Sequence, residues 1–233
     1  LVAVAGRSRT HGGSRVTDAE IDLSALLISE GFTPDIEISS SNPFFCNTDP
    51  DLLDAFRQAY ADHFGEGFPQ RREATVAGVT RLRLRREELD RLRPILGRLG
   101  LSGDKRIPDV IVNAPLVKVE RFLGLYFCAD GWADRSGMFF GSKSREVCAA
   151  LKRMLLRLGV VSNLHHRDIP GHGRHWTVSV ADKDMARRLA RSIEPHLTEI
   201  KFAKVARWME EWSDGASATN IGIPASFLRA ELD

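Results

Sequence analysis

The feature that most constrains this chain is a pair of apolar segments of the same design, placed 100 residues apart. The first reads LSALLISEG (23–31) and the second LGLYFCADG (123–131), and each ends in an acidic residue followed by glycine. A helix that is apolar on nearly all sides must be buried, and Gly31 stands where a left-handed helix cap is favoured. The sequence therefore predicts two buried helices that carry Glu30 and Asp130 at their C-terminal ends.

The segments after each apolar helix repeat one order of secondary structure. Short strands around a Ser/Asn/Gly turn are predicted in DIEISSSNPFF and ADRSGMFFGSK. A helix follows in each half: DPDLLDAFRQAYADHFG, capped by Asp49 or Asp51, and SREVCAALKRMLLRLGV, capped by Ser144. A hairpin and a closing helix, REELDRLRPILGRLG or DKDMARRLARSIEPHL, complete each half. We therefore predict an α+β fold of two αββαββα repeats, with one more helix, KFAKVARWMEEW, at the end.

Composition excludes several other classes of protein. With 43% hydrophobic and 27% charged residues, the chain has the profile of a globular protein, and a net charge of +2 does not by itself indicate nucleic-acid binding. Cys46, Cys128 and Cys148 lie far apart without a C-x-x-C spacing, which argues against a disulfide framework or a zinc knuckle. No apolar run approaches the roughly 20 residues of a membrane span, and LVAVAG is too short for a signal peptide. We expect a cytoplasmic, nucleoid-associated protein.

Two further blocks give these repeats a family resemblance. DKRIPDVIVNAP (104–115) precedes the second apolar helix, and LLRLGVVS (155–162) follows the next helix. With the two acid-glycine motifs, they resemble the LAGLIDADG homing endonucleases of the dodecapeptide type found in inteins, over roughly residues 18–214. The resemblance implies a lead-in at 1–17, a first repeat at 18–104, a second at 105–214 and a tail at 215–233. It also implies two motif helices side by side at a pseudo-twofold axis, and saddle-shaped antiparallel sheets for DNA.

The resemblance also implies the residues of a metal-dependent site. Glu30 and Asp130, with Gly31 and Gly131 beside them, are expected to hold Mg²⁺ or Mn²⁺, which takes one or two carboxylates plus water and phosphate oxygens. Lys105 in KRIP matches the catalytic lysine block of the family. If the two repeats are equivalent, Lys201 is the matching lysine of the second half, and Lys204 is the second candidate. The alternative is that these are ordinary solvated lysines.

The first motif fits the family's packing pattern better than the second does. The family has small residues in the third and seventh motif positions, and Ala25 and Ser29 satisfy this. In the second copy the third position is Leu125, so we expect the close contact to run along Gly124 and Cys128 instead.

Basic residues on the predicted strands indicate DNA contact. In TRLRLRR, Arg81, Arg83 and Arg85 alternate with leucines, so one strand face is basic and the other apolar. A two-stranded ribbon of this kind fits the major groove. Arg71 and Arg72 extend the patch. The equivalent strands of the second half carry Lys143, His165, His166, Arg167, Arg174 and His175. A solvated strand face is the alternative, and the crowded histidines raise the further possibility of a metal site.

These features together predict a site-specific nuclease. We expect a monomeric endonuclease that hydrolyses both strands of a long, asymmetric double-stranded DNA target. The alternatives are a DNA-binding module of the same fold that has lost cleavage, as in maturases or regulators, and a protein-interaction domain whose apolar helices are only core.

Overall fold

The computed structural model describes residues 16–33, 41–96 and 103–213. The first half contains α1 (Asp18–Glu30), β1 (Gly31–Phe32), β2 (Phe44–Asn47), α2 (Pro50–Phe64), β3 (Glu73–Val76), β4 (Val79–Arg83) and α3 (Arg86–Leu96). The second half contains α4 (Asp109–Val112), α5 (Leu116–Asp130), β5 (Gly131–Asp134), β6 (Gly137–Ser142), α6 (Arg145–Arg157), β7 (Asn163–Ile169), β8 (Gly173–Val180), α7 (Lys183–Ile193) and α8 (Glu199–Ser213). Short 3₁₀ turns lie at Gln70–Arg72 and Glu194–His196.

The predicted αββαββα repeat is confirmed in both halves. The two sheets are four-stranded and antiparallel, with the matching orders β1-β2-β4-β3 and β5-β6-β8-β7. The predicted lead-in up to residue 15, most of the strand at 35–45, the end of the closing helix at 97–100 and the tail at 215–233 lie outside the described residues. No helix within the described ranges combines the length and apolar composition that a membrane span requires.

The helices begin at residues whose side chains cap them. Thr17 Oγ1 accepts a hydrogen bond from the Glu20 amide at 3.2 Å, and the Glu20 carboxylate accepts one from the Thr17 amide at 2.7 Å. Asp49, rather than the alternative Asp51, caps α2, and Ser144 caps α6 as predicted. Caps of this kind stabilise a helix by about 1 kcal/mol each, and they fix where the helix ahead of each hairpin starts.

The two motif helices, α1 and α5, pack along each other at the centre of the molecule. Ala25 is fully buried, and Leu125 is buried as well, with 8% of its surface exposed. The sheets carry their apolar side chains toward the helices, as Phe45 and Phe140 show by being completely buried. The core therefore lies between the sheets and a layer of helices that includes both motifs.

The expectation that α5 contacts α1 along Gly124 and Cys128 is wrong. A Cβ atom on Gly124 would lie 2.6 Å from the Cβ of His196, so this glycine makes room for the 3₁₀ turn that follows α7. Cys128 Sγ accepts a hydrogen bond from the Thr198 amide at 3.2 Å, on the same side of the helix. The small residues of α5 thus admit the 193–198 segment, which is a tertiary contact that the motif alone does not indicate.

Candidate active site

A cleft of about 260 Å³ lies where the two motif helices end. Ile28, Ser29 and Glu30 line it from α1, Asp130 from α5, and Lys105, Ser142, Lys143 and His175 from neighbouring segments. The structure therefore brings together both predicted acids and the predicted lysine of KRIP. One carboxylate comes from each repeat.

Each acid is placed by a glycine that lets the chain pass directly from helix to strand. Gly31 has φ −82° and ψ 147°, and Gly131 has φ −110° and ψ 158°, so both are extended. The left-handed cap expected at Gly31 is therefore not formed. Glycine is needed for space: a Cβ would lie 2.5 Å from the Leu27 carbonyl oxygen at Gly31, and 2.3 Å from Phe127 Cδ2 at Gly131.

The two carboxylates lie in surroundings that oppose their ionisation. Burial and the nearby charge of Asp130 raise the pKa of Glu30 to about 7, while Lys105 acts in the opposite direction. Burial raises the pKa of Asp130 to about 6, against the influence of Lys105 and Lys201. An acid removed from water ionises more easily when a cation compensates its charge. Positive charge in the cleft would therefore stabilise the ionised pair.

Lys105 is buried and bonds to the end of α1. Its Nζ donates to the carbonyl oxygens of Leu27 and Ile28, each at 3.0 Å, and to that of Gly31 at 2.5 Å. Leu27 also accepts a hydrogen bond from the Gly31 amide, and the carbonyl groups at the end of a helix carry its partial negative charge. Burial lowers the pKa of Lys105 to about 8. The ammonium therefore has both a structural role at the helix end and a position beside the two acids.

Lys201 occupies the matching position in the second repeat. Its Nζ donates to the Gly131 carbonyl oxygen at 2.5 Å and lies 5.3 Å from the centre of the Phe127 ring. Burial lowers its pKa as well. Lys105 thus bonds to the glycine that follows the first acid and Lys201 to the glycine that follows the second, whereas Lys204 is exposed on α8. Because each glycine carbonyl has two lone pairs, a lysine partner does not exclude a second contact.

The donors at the cleft fit a hard cation. Two carboxylates and backbone carbonyl groups are oxygen ligands, which Mg²⁺ prefers, whereas zinc sites use nitrogen and sulfur. Over residues 16–33, 41–96 and 103–213, no group of three or more His, Cys, Asp or Glu side chains gathers as a metal site. The crowded histidines of the second hairpin therefore do not form the metal site that their spacing allows.

The predicted basic face of the first sheet is present. Arg81 and Arg83 are exposed, while Leu82 between them is completely buried. Pairing of Cys46 with Arg81 and of Phe44 with Arg83 places all four on the face that points away from the helices. We call this surface, and its equivalent on the second sheet, the helix-free face.

The three other arginines of the predicted patch differ from one another. Arg71 is exposed in the turn before β3, and Arg85 is exposed just beyond β4. Arg72 instead donates to Glu88 Oε2 at 2.7 Å and to the Tyr60 hydroxyl at 2.7 Å, and only 12% of its side chain is exposed. Arg72 is thus engaged within the first repeat, which corrects the prediction that it contacts DNA.

Strand register divides the second-half residues between two faces. Arg167 pairs with His175, and His165 with Thr177, on the helix-free face that also includes Gly141. Lys143 is exposed just after β6, at the cleft.

His166 and Arg174 lie on the opposite face of this hairpin. His166 pairs with Trp176, whose ring is stacked by Arg145 from α6, and Arg174 forms an ion pair with Asp168 at 2.9 Å. Because successive strand residues alternate between faces, these two cannot act with the helix-free set. This corrects the prediction that His166 and Arg174 belong to the same DNA-contacting surface as the other basic residues.

The sequence prediction missed two members of the cleft. Ser142 and His175 line it, although the sequence predicts only DNA contact for His175 and no role for Ser142. No sequence signal places His175 at the cleft, because its position depends on the register of β8 with β6, which becomes evident only in the sheet.

Comparison with known proteins agrees with this architecture. The LAGLIDADG-like domain family matches residues 118–194. One relative, a component of the A-type ATP synthase of Methanopyrus kandleri, is 29% identical over 167 residues, which are 72% of this chain and 16% of that protein. The chain thus spans only about a sixth of the length of that relative.

Two solved structures share the fold. I-DmoI, a homing endonuclease, solved in complex with DNA and Ca, has a TM-score of 0.59 at 15% identity, over 82% of this chain and 97% of that chain. The homing endonuclease I-WcaI bound to its DNA recognition sequence has a TM-score of 0.54 at 10% identity, over 81% and 85% of the two chains. Residues 118–194 therefore match the LAGLIDADG-like domain family, and the described residues have the fold of the LAGLIDADG homing endonucleases I-DmoI and I-WcaI.

Proposed function

We propose that this protein is a site-specific double-strand DNA endonuclease of the homing type that uses a divalent cation at the cleft between α1 and α5. One observation carries the proposal: two half-buried carboxylates, one from each repeat, meet at one cleft with their pKa values raised to about 7 and about 6. A divalent cation would hold both carboxylates ionised at neutral pH. Duplication of a half-site also supplies one carboxylate for each DNA strand.

Glu30 and Asp130 are the residues that would hold the ion, with the Gly31 and Gly131 carbonyl groups beside them. When bound, Mg²⁺ or Mn²⁺ supplies an activated water and stabilises the leaving oxygen. The I-DmoI structures with DNA and either Mn or Ca support a divalent cation here.

The lysines have a separate task in this proposal. Lys105 and Lys201 hold positive charge close to the acids, at positions fixed by their bonds to the motif glycines. Charge that is already in place stabilises the negative charge that develops on a phosphate during hydrolysis. The Lys105 pKa of about 8 keeps most of this ammonium protonated at neutral pH.

The helix-free faces of the two sheets are proposed to bind the DNA. They carry Arg81 and Arg83 in the first half, and His165, Arg167 and His175 in the second. Antiparallel ribbons fit the major groove, where arginine reads guanine and other side chains contact base edges or phosphates. Because the two faces carry different residues, the target is expected to be asymmetric, and one chain with both repeats can act as a monomer.

An intein origin is part of the proposal. The relative from Methanopyrus kandleri is named for ATP synthesis, yet the chain matches only 16% of its length. A matched segment of that size inside a protein named for another activity is what an insertion produces. We propose the same origin for this chain, which would place it in the cytoplasm near the nucleoid.

Cleavage of a selected target tests the function. Duplexes would be selected for binding from a randomised library in the presence of Ca²⁺, cloned into a supercoiled plasmid and incubated with Mg²⁺, or with EDTA. We expect linear product that requires Mg²⁺, and a loss of about 100-fold or more in rate for Asp130→Asn. Asp184→Asn, which changes an acid whose side chain is 91% exposed, is the matched control and should cut normally. Selected, salt-sensitive binding without cutting would instead indicate a binding module that has lost cleavage.

A further inference from the structure

The two halves of the cleft are chemically unequal. Gly31 pairs with Phe45 in the first sheet as Gly131 pairs with Phe140 in the second, which aligns the two registers. By this alignment, Cys46 is equivalent to Gly141, because each follows its phenylalanine on β2 or β6. Cys46 pairs with Arg81, and Gly141 with Thr177. Two residues earlier on each partner strand, Val79 is therefore equivalent to His175.

Gly141 makes room for the His175 ring. A Cβ atom on Gly141 would lie 2.9 Å from His175 Cε1 and 3.6 Å from the Asp130 carbonyl oxygen. In the first half, the equivalent space holds the Cys46 thiol, whose Sγ lies 3.6 Å from the Glu30 carbonyl oxygen. The glycine thus admits an imidazole beside the second acid, where the first half has a thiol and an aliphatic side chain.

His175 has an unused hydrogen-bonding atom. Its Nδ1 is buried and has no hydrogen-bond partner among the described residues. Burial, followed by the charges of Arg167 and Lys143, lowers the pKa of this histidine. A neutral imidazole still offers one donor and one acceptor, whereas Val79 offers neither. The ring lines the cleft together with Asp130 and Lys143.

We propose that His175 hydrogen-bonds the DNA strand that is cut on the Asp130 side of the cleft, so that the two strands are cleaved at unequal rates. This inference rests on the proposed function and adds a residue to one of its two half-sites. The strand on the Glu30 side has no equivalent contact, because Val79 and Cys46 occupy the matching positions. The enzyme is therefore expected to pass through a nicked intermediate.

Strand-resolved cleavage of the selected target tests this inference. On an end-labelled duplex, the wild type should cut one strand first, and His175→Val should slow cutting of that strand by roughly tenfold or more, the size of a lost hydrogen bond to a charged group. His175→Gln, which keeps a side-chain donor, should restore part of the rate. The reciprocal Cys46→Gly, Val79→His variant should speed cutting of the other strand. Equal slowing of both strands by His175→Val, or no slowing, would overturn the proposal.

A second measurement separates this inference from the proposed function. Nitrogen NMR of the His175 ring would be recorded in Ca²⁺ with and without the selected duplex, a condition that needs no cleavage. We expect the ring nitrogen resonances to shift in the complex, with Asp184→Asn, which changes a 91% exposed acid on α7, as a control that leaves the shift in place. Unchanged resonances in a complex that forms would overturn the contact, even if the wild type cuts DNA. Shifted resonances without any cutting would support the contact and refute the nuclease.

Discussion

At the scale of single residues, the cleft contains three side chains whose charged forms are disfavoured by burial, namely Glu30, Asp130 and Lys105. Burial raises the pKa of the Glu30 and Asp130 carboxyl groups and lowers the pKa of the Lys105 ammonium. Strongly perturbed pKa values of this kind cluster at functional sites. Burial is the largest cause in all three, so the tertiary packing of α1 against α5 produces the property.

The raised pKa of Glu30 predicts how stability depends on pH. An acid whose folded pKa of about 7 exceeds its ordinary value of 4.5 holds its proton more tightly in the folded state. The stabilisation is complete below about pH 4.5 and is lost as pH rises through about 7, by roughly 1 to 3 kcal/mol. Lys105 stays protonated in both states over most of this range, so it does not cancel the trend.

Urea denaturation without divalent ions, between pH 5 and pH 7.5, measures this effect. The unfolding free energy of the wild type should decline relative to that of Glu30→Gln as pH rises. Mg²⁺ should reduce the decline, because it stabilises the ionised acids. Parallel curves for the two proteins would contradict the assignment.

At the scale of elements, the junction between each motif helix and its strand is fixed by space. Gly31 and Gly131 are extended, and a Cβ at either position would overlap the last turn of the preceding helix. The sequence correctly predicted that each motif helix ends at its glycine. It attributed Gly31 to a left-handed cap, whereas the structure requires glycine there for space. Helix caps and strand alternation were predictable because they depend on neighbours in sequence, as at Ser144 and in Arg81 to Arg83. Face assignment at His166 and Arg174 required the register of the whole hairpin.

Gly31→Ala should therefore be strongly destabilising. The added methyl group would lie 2.5 Å from the Leu27 carbonyl oxygen, a backbone atom that cannot move without disturbing the helix end. We expect a loss of about 2 kcal/mol or more in the free energy of unfolding. Gly67→Ala is the matched control, because nothing lies within 4 Å of its added Cβ, and it should change stability by less than about 0.5 kcal/mol. Equal effects of the two substitutions in urea denaturation would refute the steric explanation.

At the scale of the whole molecule, charged contacts as well as apolar packing join the two repeats. Arg121 on α5 donates to both carboxylate oxygens of Asp22 on α1, at 2.5 and 2.6 Å, and Lys118 bonds to Asp18 one turn earlier. Only 10% of the Asp22 side chain is exposed, and burial raises its pKa despite Arg121. This pair lies at the opposite end of the motif helices from the cleft, so it helps to fix how the two acids face each other.

Arg121→Met should leave the Asp22 carboxylate buried without its partner. We expect a loss of about 2 to 4 kcal/mol in the free energy of unfolding. This loss is smaller than that of a fully buried pair, because Arg121 is itself one-third exposed. The Asp22→Leu, Arg121→Met double variant should recover part of that loss. Arg153→Met, which removes an exposed pair with Asp109, should cost no more than about 1 kcal/mol. If Arg121→Met and Arg153→Met have equal effects in urea denaturation, the pair does not hold the repeats together.

The sequence by itself determined the duplication, the αββαββα order and the choice of the two acids and Lys105 as site residues. Local periodicity or a motif indicates each of these features. Lys201 followed only from treating the halves as equivalent, and the structure places it at the matching glycine. The tertiary structure alone decided that Arg72 is paired internally, that Gly124 receives the 3₁₀ turn, and that His175 reaches the cleft. These features depend on contacts between residues distant in the chain, and on which face of a strand meets a helix. Neither property is contained in the spacing of residue types.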